Sequence, residues 1–341
     1  MSLANKLGIC MTLVLALALQ ACGTAQAQDW NPADGKLMTR WAEEVTPENV
    51  HREYPRPQMV RERWKNLNGL WNYSVTGKDA SKPGKLDGEI LVPFPIESAL
   101  SGVMERVGAD NRLWYRRSFD VPPAWSGDRV LLHFEAVDWE TTVWVNGTKV
   151  GTHKGGYDPF SFDVTDALHE DGPQQLTVGV WDPGDAGPQP RGKQVRKPRG
   201  IWYTPTTGIW ATAWLEPVSK ASIRALDLRT DIDSESLSVT AEGRGTAGNE
   251  QVKVTALKGG RKVASVSGLI GEPVTLTIEN PRLWSPEDPF LYDLKVALVK
   301  HDRIVDRVES YFGMRDVSIA KDKEGTTRIF MNGSPCFMLG F

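Results

Sequence analysis

The chain of 341 residues has few cysteines and no excess of charge of either sign. Its three cysteines are Cys10, Cys22 and Cys336, and the first two lie in the N-terminal apolar segment, so the folded part holds one cysteine and no intrachain disulfide. A formal net charge of −3 excludes strong electrostatic attraction to nucleic acid or to anionic lipid. The five histidines show no metal-ligand spacing, and no glycine-rich phosphate loop or nucleophile elbow is present. We therefore expect no metal and no cofactor.

The sequence also lacks helical periodicity, which excludes a helical bundle. Short apolar or alternating runs recur instead, separated by Gly, Pro and Asn, and they predict an all-β fold. After a polar, proline-rich lead-in over residues 28–60, the runs of residues 61–218 favour a jelly-roll sandwich. The alternating runs of residues 219–314 predict a second, cysteine-free sandwich of immunoglobulin-domain size.

The one long apolar stretch lies at the N-terminus and is too short to span a bilayer. Lys6 precedes the apolar residues Leu7 to Leu19, a pattern typical of a secretory signal over residues 1–27. Two cleavage sites compete: a lipobox that makes Cys22 the lipidated first residue, and an Ala-x-Ala site ending at Ala27. Both alternatives predict export, to a bacterial periplasm or as an outer-membrane lipoprotein, and a membrane contact only through the lipid.

The C-terminal residues 315–341 combine a hairpin with an apolar run. Asn332-Gly333 is a strong signal for a two-residue hairpin turn. From Cys336 to Phe341 almost every residue is apolar, which is typical of a strand buried on both faces in a parallel sheet. We expect Cys336 to be a small core residue and not a nucleophile, and we expect this strand to open a further domain that is absent.

Several motifs occur in an order that resembles glycoside hydrolase family 2, which includes β-galactosidases, β-glucuronidases and β-mannosidases. They are Trp114–Phe119, Val145–Gly147, Gly155–Phe160, Thr207–Trp210, Asn280–Tyr292, Tyr311–Arg315 and Ile329–Gly333. The resemblance implies a jelly-roll (galactose-binding-like) domain, an immunoglobulin-like domain and then a (β/α)8 barrel. On this view residues 315–341 are the truncated start of that catalytic barrel.

The family's retaining mechanism uses an acid/base and a nucleophile glutamate, about 5–5.5 Å apart. The resemblance places both in the barrel, beyond Phe341, so we expect no catalytic residue in this chain and no activity of the chain alone. The expected partners are a β-glycoside oligosaccharide or polysaccharide and the missing barrel of the same polypeptide. Two alternatives remain open: a stand-alone carbohydrate-binding module on the cell surface, and an extracellular adhesion sandwich without a sugar role.

Loops of the family's first domain contact the sugar, and this implies candidate substrate-binding residues here. A sugar site pairs an aromatic face with carboxylates or amides that bind hydroxyl groups. Asp138 and Trp139 follow one predicted strand, while Asp182, Asp185 and Trp202 lie in or beside the proline-rich stretch of residues 182–199. The alternative for each residue is an ordinary role in loop structure.

Overall fold

Strands make up most of the regular structure, as the sequence predicts, because β-branched and aromatic residues alternate with polar ones between turn residues. The structure, a computed structural model, describes residues 30–35 and 38–338. By its internal contacts the chain forms two units, Met1–Asn31 and a unit that begins at Pro32. The first lies almost wholly outside the described residues, as do the predicted signal segment and Cys22. No helix in the described part is long and apolar enough to cross a membrane.

The first sandwich and its helical turns occupy residues 40–218. Its strands are β1 (Lys65–Asn66), β2 (Gly69–Gly77), β3 (Gly88–Val92), β4 (Asn111–Phe119), β5 (Arg129–Phe134), β6 (Val137–Asp138), β7 (Glu140–Val145), β8 (Thr148–Lys154), β9 (Phe160–Asp163), β10 (Gln174–Trp181), β11 (Gly208–Ile209) and β12 (Ala213–Val218). Single 3-10 turns occur at Arg40–Glu44, Ala99–Ser101, Pro123–Trp125, Thr165–Ala167 and Gly184–Ala186.

This sandwich has a four-stranded sheet, β1-β12-β5-β9, and a six-stranded sheet, β3-β2-β4-β10-β7-β8. On β7, Val143 and Val145 point into the core between the sheets, whereas Trp144 lies on the outer face beside Trp114. Burying each such aliphatic side chain stabilises the fold by about 1.5–3 kcal/mol. β6 and β11 form a separate antiparallel pair that places Asp138 opposite Gly208, which positions the site described below.

The second sandwich has three strands facing four, an immunoglobulin-like arrangement without a disulfide. Its strands are β13 (Ser222–Asp231), β14 (Ser236–Arg244), β15 (Gln251–Lys258), β16 (Arg261–Leu269), β17 (Pro273–Thr277), β18 (Tyr292–Lys300) and β19 (Arg303–Phe312). The sheets are β13-β14-β17 and β16-β15-β18-β19. The predicted alternation is confirmed on β15, where Val252, Val254 and Ala256 are fully buried and the residues between them are not.

Arg61, at the end of the lead-in, joins the two sandwiches through buried ion pairs. Its guanidinium lies 2.8 Å from an Asp306 carboxylate oxygen on β19 and 3.3 Å from one of Glu216 on β12. It also donates to the Ile223 carbonyl at 2.7 Å. Next to it, Val60 pairs with Glu309 through two backbone hydrogen bonds. The lead-in therefore packs on both sandwiches at once.

The C-terminal part is an exposed sheet of β20 (Val317–Lys321), β21 (Thr327–Met331) and β22 (Ser334–Pro335). The predicted turn is confirmed, because Asn332 and Gly333 both have positive φ between β21 and β22. The predicted buried strand is wrong for residues 336–338, which form no strand, and Phe337 is 81% exposed. Cys336 is only half-buried and not a core residue, because no second layer among the described residues covers it.

Candidate functional site

Three carboxyl groups meet at one end of the first sandwich, and we call them the carboxyl cluster. Asp138 ends β6, Asp182 directly follows β10, and Glu97 lies in the turn after β3. Thr207 joins two of them: its backbone N–H donates to Glu97 at 2.9 Å, and its hydroxyl donates to Asp182 at 3.3 Å. The sheet pairing of β6 with β11 then brings Asp138 beside the same segment.

Asp138 is almost completely enclosed, with 3% of its surface exposed. The Gln194 side-chain amide donates to its carboxylate at 3.4 Å. The backbone of Gly156 packs so closely that a Cβ there would lie 2.6 Å from Asp138 Oδ1. Asp138 therefore has no room for a substrate group in this conformation.

Burial controls the protonation of the carboxyl cluster. It raises the pKa of Asp138 to about 7, and the negative charge of Asp182 adds to that rise. Burial also raises the pKa of Glu97 to about 7, against the opposing hydrogen bonds from Thr207. The pKa of Asp182 is raised by burial as well, although donors from Gly184, Thr207 and Gln189 reduce the effect. With a pKa of about 7, Asp138 and Glu97 consequently take up and release protons close to neutral pH.

The long segment of residues 182–207 is ordered by contacts with this cluster, and we call it the cluster loop. Gln194 accepts a hydrogen bond from the Thr206 backbone at 2.5 Å while its amide reaches Asp138. Gln189 donates to the Gly184 carbonyl at 2.6 Å and is buried beside Asp182. A backbone bridge between Gln194 and Tyr203 closes the middle of the loop. Amide side chains therefore fix a segment that otherwise contains only one helical turn.

The five candidate residues occupy different places. Asp138 and Asp182 meet in the carboxyl cluster, whereas Asp185 forms an ion pair with Arg196 further along the loop. Trp139 is half-buried and lines a cleft with Trp181. Trp202 is exposed on the cluster loop, 42% accessible. Their role in binding sugar stays a prediction.

Four exposed aromatic side chains lie on segments that contact the carboxyl cluster or its loop. Tyr157 and Trp210 contact each other edge to face, with ring centroids 6.0 Å apart. The Trp210 indole donates to the Gly156 carbonyl at 2.7 Å, and Gln194 lies within hydrogen-bond distance of the Tyr157 hydroxyl. Trp202 and Tyr203, on the cluster loop, are also exposed. We call these four residues the aromatic face, a surface that can stack on the C–H faces of a ligand.

The sequence reasoning missed Glu97, Gln194 and Thr207. Glu97 did carry a signal, because it is the one charged residue that ends the apolar run beginning at Ile90. Gln194 and Thr207 carried none, since their contacts depend on segments far apart in the chain. Within residues 30–35 and 38–338, no three His, Cys, Asp or Glu side chains are placed to hold a metal ion.

Two family models match the chain in succession. The model described as glycosyl hydrolases family 2, sugar binding domain, matches residues 89–187. The model described as glycosyl hydrolases family 2 matches residues 209–315. The first match covers most of the first sandwich and the second covers nearly all of the immunoglobulin-like one.

Three proteins similar to this chain are each longer than it is. A β-glucuronidase of Paenibacillus borealis is 28% identical over 84% of the chain and 50% of its own length. A β-galactosidase of Thermoanaerobacter pseudethanolicus is also 28% identical, over 67% of the chain and 31% of its own length. The structure of a Ruminococcus gnavus β-glucuronidase in complex with D-glucuronic acid aligns with a TM-score of 0.68 at 20% identity, covering 85% of the chain and 51% of that protein. The chain thus spans about half the length, or less, of these relatives.

Proposed function

The chain belongs to glycosyl hydrolase family 2 through its N-terminal and immunoglobulin-like domains, and on this basis we propose that it supplies those two domains to an exported β-glycosidase. The observation that carries the proposal is the succession of the two domains in a chain homologous to β-glucuronidases and β-galactosidases. The proposed reaction is retaining hydrolysis of an O-glycosidic bond, with both catalytic glutamates in a part of the polypeptide outside these 341 residues.

The carboxyl cluster does not provide a substitute catalytic pair. A retaining glycosidase needs one ionised nucleophile and one protonated acid, both able to touch the glycosidic carbon and oxygen. Asp138 and Asp182 are each 3% exposed and already hold internal donors. We assign the cluster the role of positioning the cluster loop, whose Trp202 and Tyr203 face solvent.

The aromatic face is the proposed sugar-contacting surface of the first domain. Trp202 and its neighbours offer ring faces, while the backbone groups of a proline-rich loop offer hydrogen-bond partners for hydroxyl groups. Asp138 and Asp182 do not contact the sugar themselves; they position the cluster loop that carries part of this surface. Asp185 contributes only through its ion pair with Arg196, which shapes the loop.

The decisive experiment compares two proteins on aryl β-glucuronide, β-galactoside and β-mannoside substrates. One is the 341-residue chain and the other is the whole product of the same gene. We expect turnover of at least one substrate by the whole product and none by the 341-residue chain. Turnover by the 341-residue chain would contradict the assignment of the catalytic glutamates, and absence of turnover by the whole product would contradict the proposed activity.

A non-enzymatic carbohydrate-binding module is the second candidate function. The observation that favours it is that each sandwich contains its own complete apolar core, so sugar binding does not require a further domain to fold. The same pair of proteins distinguishes the two functions. Polysaccharide retention without hydrolysis by the whole gene product would support the module.

We also propose export with Cys22 as a lipid anchor, from the apolar N-terminal segment and the lipobox before Cys22. The test is mass spectrometry of the mature protein and of Cys22→Ala made in the native type of host. A lipid-modified Cys22 supports the anchor, whereas a mature N-terminus at Gln28 shows cleavage after Ala27 and a soluble exported protein.

A further inference from the structure

A cleft of about 700 Å³ is lined in part by the chain segments that carry the carboxyl cluster. Trp139 and Trp181 line it, each directly next to an aspartate of the cluster. Asp138 and Asp182 are buried in the cluster, whereas Trp139 and Trp181 are half-buried and line the cleft.

The Trp181 ring is fixed and partly covered. Its indole N–H donates to the Ala109 carbonyl at 2.7 Å. The Lys78 ammonium lies 3.6 Å from the ring centroid, a cation–π contact. Lys78 forms no ion pair with any residue in the described part of the chain, so its N–H donors remain open to a ligand. The Trp181 indole and the Lys78 ammonium therefore both face the cleft.

The rest of the rim is polar and close to electrically balanced. Lys154 and Glu140 form an ion pair at 3.0 Å, and Asp110 is exposed at the edge. Pro183, Pro188 and Pro190 of the cluster loop form the opposite wall. Rigid apolar walls with a few convergent ammonium and carboxylate groups are typical of small-molecule sites, and 700 Å³ lies within their usual range.

We propose that this cleft binds a neutral oligosaccharide, with one pyranose ring stacked on Trp139 and its hydroxyl groups bonded to Lys78, Glu140 and Asp110. An indole stacks on the C–H face of a pyranose, while ammonium and carboxylate groups satisfy the hydroxyls at its rim. The balanced charge of the rim favours a neutral sugar over an anionic one. The proposal rests on the carbohydrate role proposed for the first domain and not on hydrolysis.

The test uses the 341-residue chain and β-1,4-linked tetrasaccharides of glucose, mannose, galactose and xylose. Binding is measured by calorimetry and by the change in tryptophan fluorescence. We expect at least one tetrasaccharide to bind, and we expect Trp139→Ala to weaken it by about tenfold or more. Trp41→Ala is the matched control, because Trp41 is 58% exposed in the lead-in, and it should leave binding unchanged.

A second variant tests the cleft without removing a side chain that packs in the folded protein. Ala186 is exposed on the loop side of the cleft, so Ala186→Arg places a long side chain in the opening without removing any contact. It should abolish binding, while Ala320→Arg on the exposed β20 should not. Circular dichroism establishes that each variant is folded.

The outcomes separate this proposal from the proposed hydrolysis. Tetrasaccharide binding that Ala186→Arg abolishes supports the cleft even if the whole gene product hydrolyses nothing. No binding of any tetrasaccharide overturns the cleft even if the whole product is an active glycosidase. Binding that Ala186→Arg and Trp139→Ala leave intact, but Trp202→Ala removes, also overturns it and assigns the ligand to the aromatic face.

Discussion

At the scale of single residues, the burial of the carboxyl cluster carries an electrostatic cost. Asp138 and Asp182 are buried beside each other, so ionising both places two like charges in a low-dielectric site. Their hydrogen-bond donors are neutral amides, hydroxyls and backbone groups, and no cation among the described residues compensates them. Burying these carboxyl groups lowers the stability of the fold, while their hydrogen bonds hold the cluster loop in one conformation.

Asp138→Asn should remove part of the pH dependence of stability. Because the pKa of Asp138 is raised from about 4 to about 7 on folding, its protonated form favours the folded state below pH 4. That contribution is lost as the pH rises through 7. We expect the variant to match the wild type near pH 4 and to be more stable at pH 8, by on the order of 3 kcal/mol, in urea unfolding.

Asp185→Asn serves as the control for this experiment. The Arg196 ion pair lies at the surface, so its loss should change stability by no more than about 1 kcal/mol at either pH. A variant Asp138→Asn that is less stable than the wild type at pH 8 would show that the carboxylate is favourably paired in the folded protein.

Gly208→Ala should be strongly destabilising because of one close approach. Gly208 has φ +94°, and a Cβ there would lie 2.0 Å from the Tyr115 hydroxyl in the core. We expect a loss of about 2–4 kcal/mol in the free energy of unfolding. Gly248→Ala is the matched control: its φ is +85°, yet no atom lies within 4 Å of the added Cβ. Equal losses in the two variants would attribute the effect to backbone strain and not to Tyr115.

At the scale of elements, the cluster loop differs from the strands around it. Its order depends on a few side-chain amides, whereas the preceding strand β10 is paired along its length with both β4 and β7. Segments held by few contacts open locally at low free-energy cost. The loop is thus the part of the first sandwich that a single substitution can release.

Gln194→Ala should release the middle of the loop without unfolding the sandwich. It removes the contacts with Asp138 and with the Thr206 backbone. Because Arg191, Lys193 and Arg196 lie in the same segment, we expect trypsin to cleave there several times faster, with a small change in melting temperature. Gln251→Ala, at an exposed position of β15, should leave the cleavage rate unchanged. Equal rates for the two variants would mean that the remaining contacts, such as the backbone bridge to Tyr203, order the loop without the Gln194 side chain.

At the scale of the whole molecule, ion pairs connect the lead-in with both sandwiches. Glu216 is fully buried and lies within 3.3 Å of Arg61 and 2.9 Å of Arg56. Burial alone would raise its pKa, but His133 and the two arginine charges lower it to about 2. The carboxylate therefore stays ionised in the folded protein well into the acid range.

Glu216→Gln should be severely destabilising, because it removes the ion-pair partner of Arg56 and one of the two buried partners of Arg61. We expect a loss of about 3–5 kcal/mol in urea unfolding at pH 7. In the wild type, the contribution of Glu216 is present above pH 4.5 and is lost as the pH falls toward 2, so the variant and the wild type should converge there. Arg229→Ala, at an exposed pair with Asp227, should change the stability far less, because water screens an exposed ion pair. A similar cost for both variants would show that water screens the Glu216 network.

Features that depend on neighbouring residues could be predicted from the sequence, whereas contacts between residues far apart in the chain could not. The Asn332-Gly333 turn and the alternation on β15 depend on neighbouring residues, and both are confirmed. The family membership followed from motif order and is confirmed as well. Cys336 was misassigned because an apolar run is buried only if another layer covers it. Glu97 was missed because its partner Thr207 is 110 positions away.

The position of Arg61 between the sandwiches also constrains how the chain is made. Asp306 lies 245 positions after Arg61, so during synthesis the guanidinium is exposed from an early stage while its partner does not yet exist. At roughly 5–20 residues per second, that interval lasts on the order of tens of seconds. The contact of Arg61 with the second sandwich therefore forms only after β19 is complete.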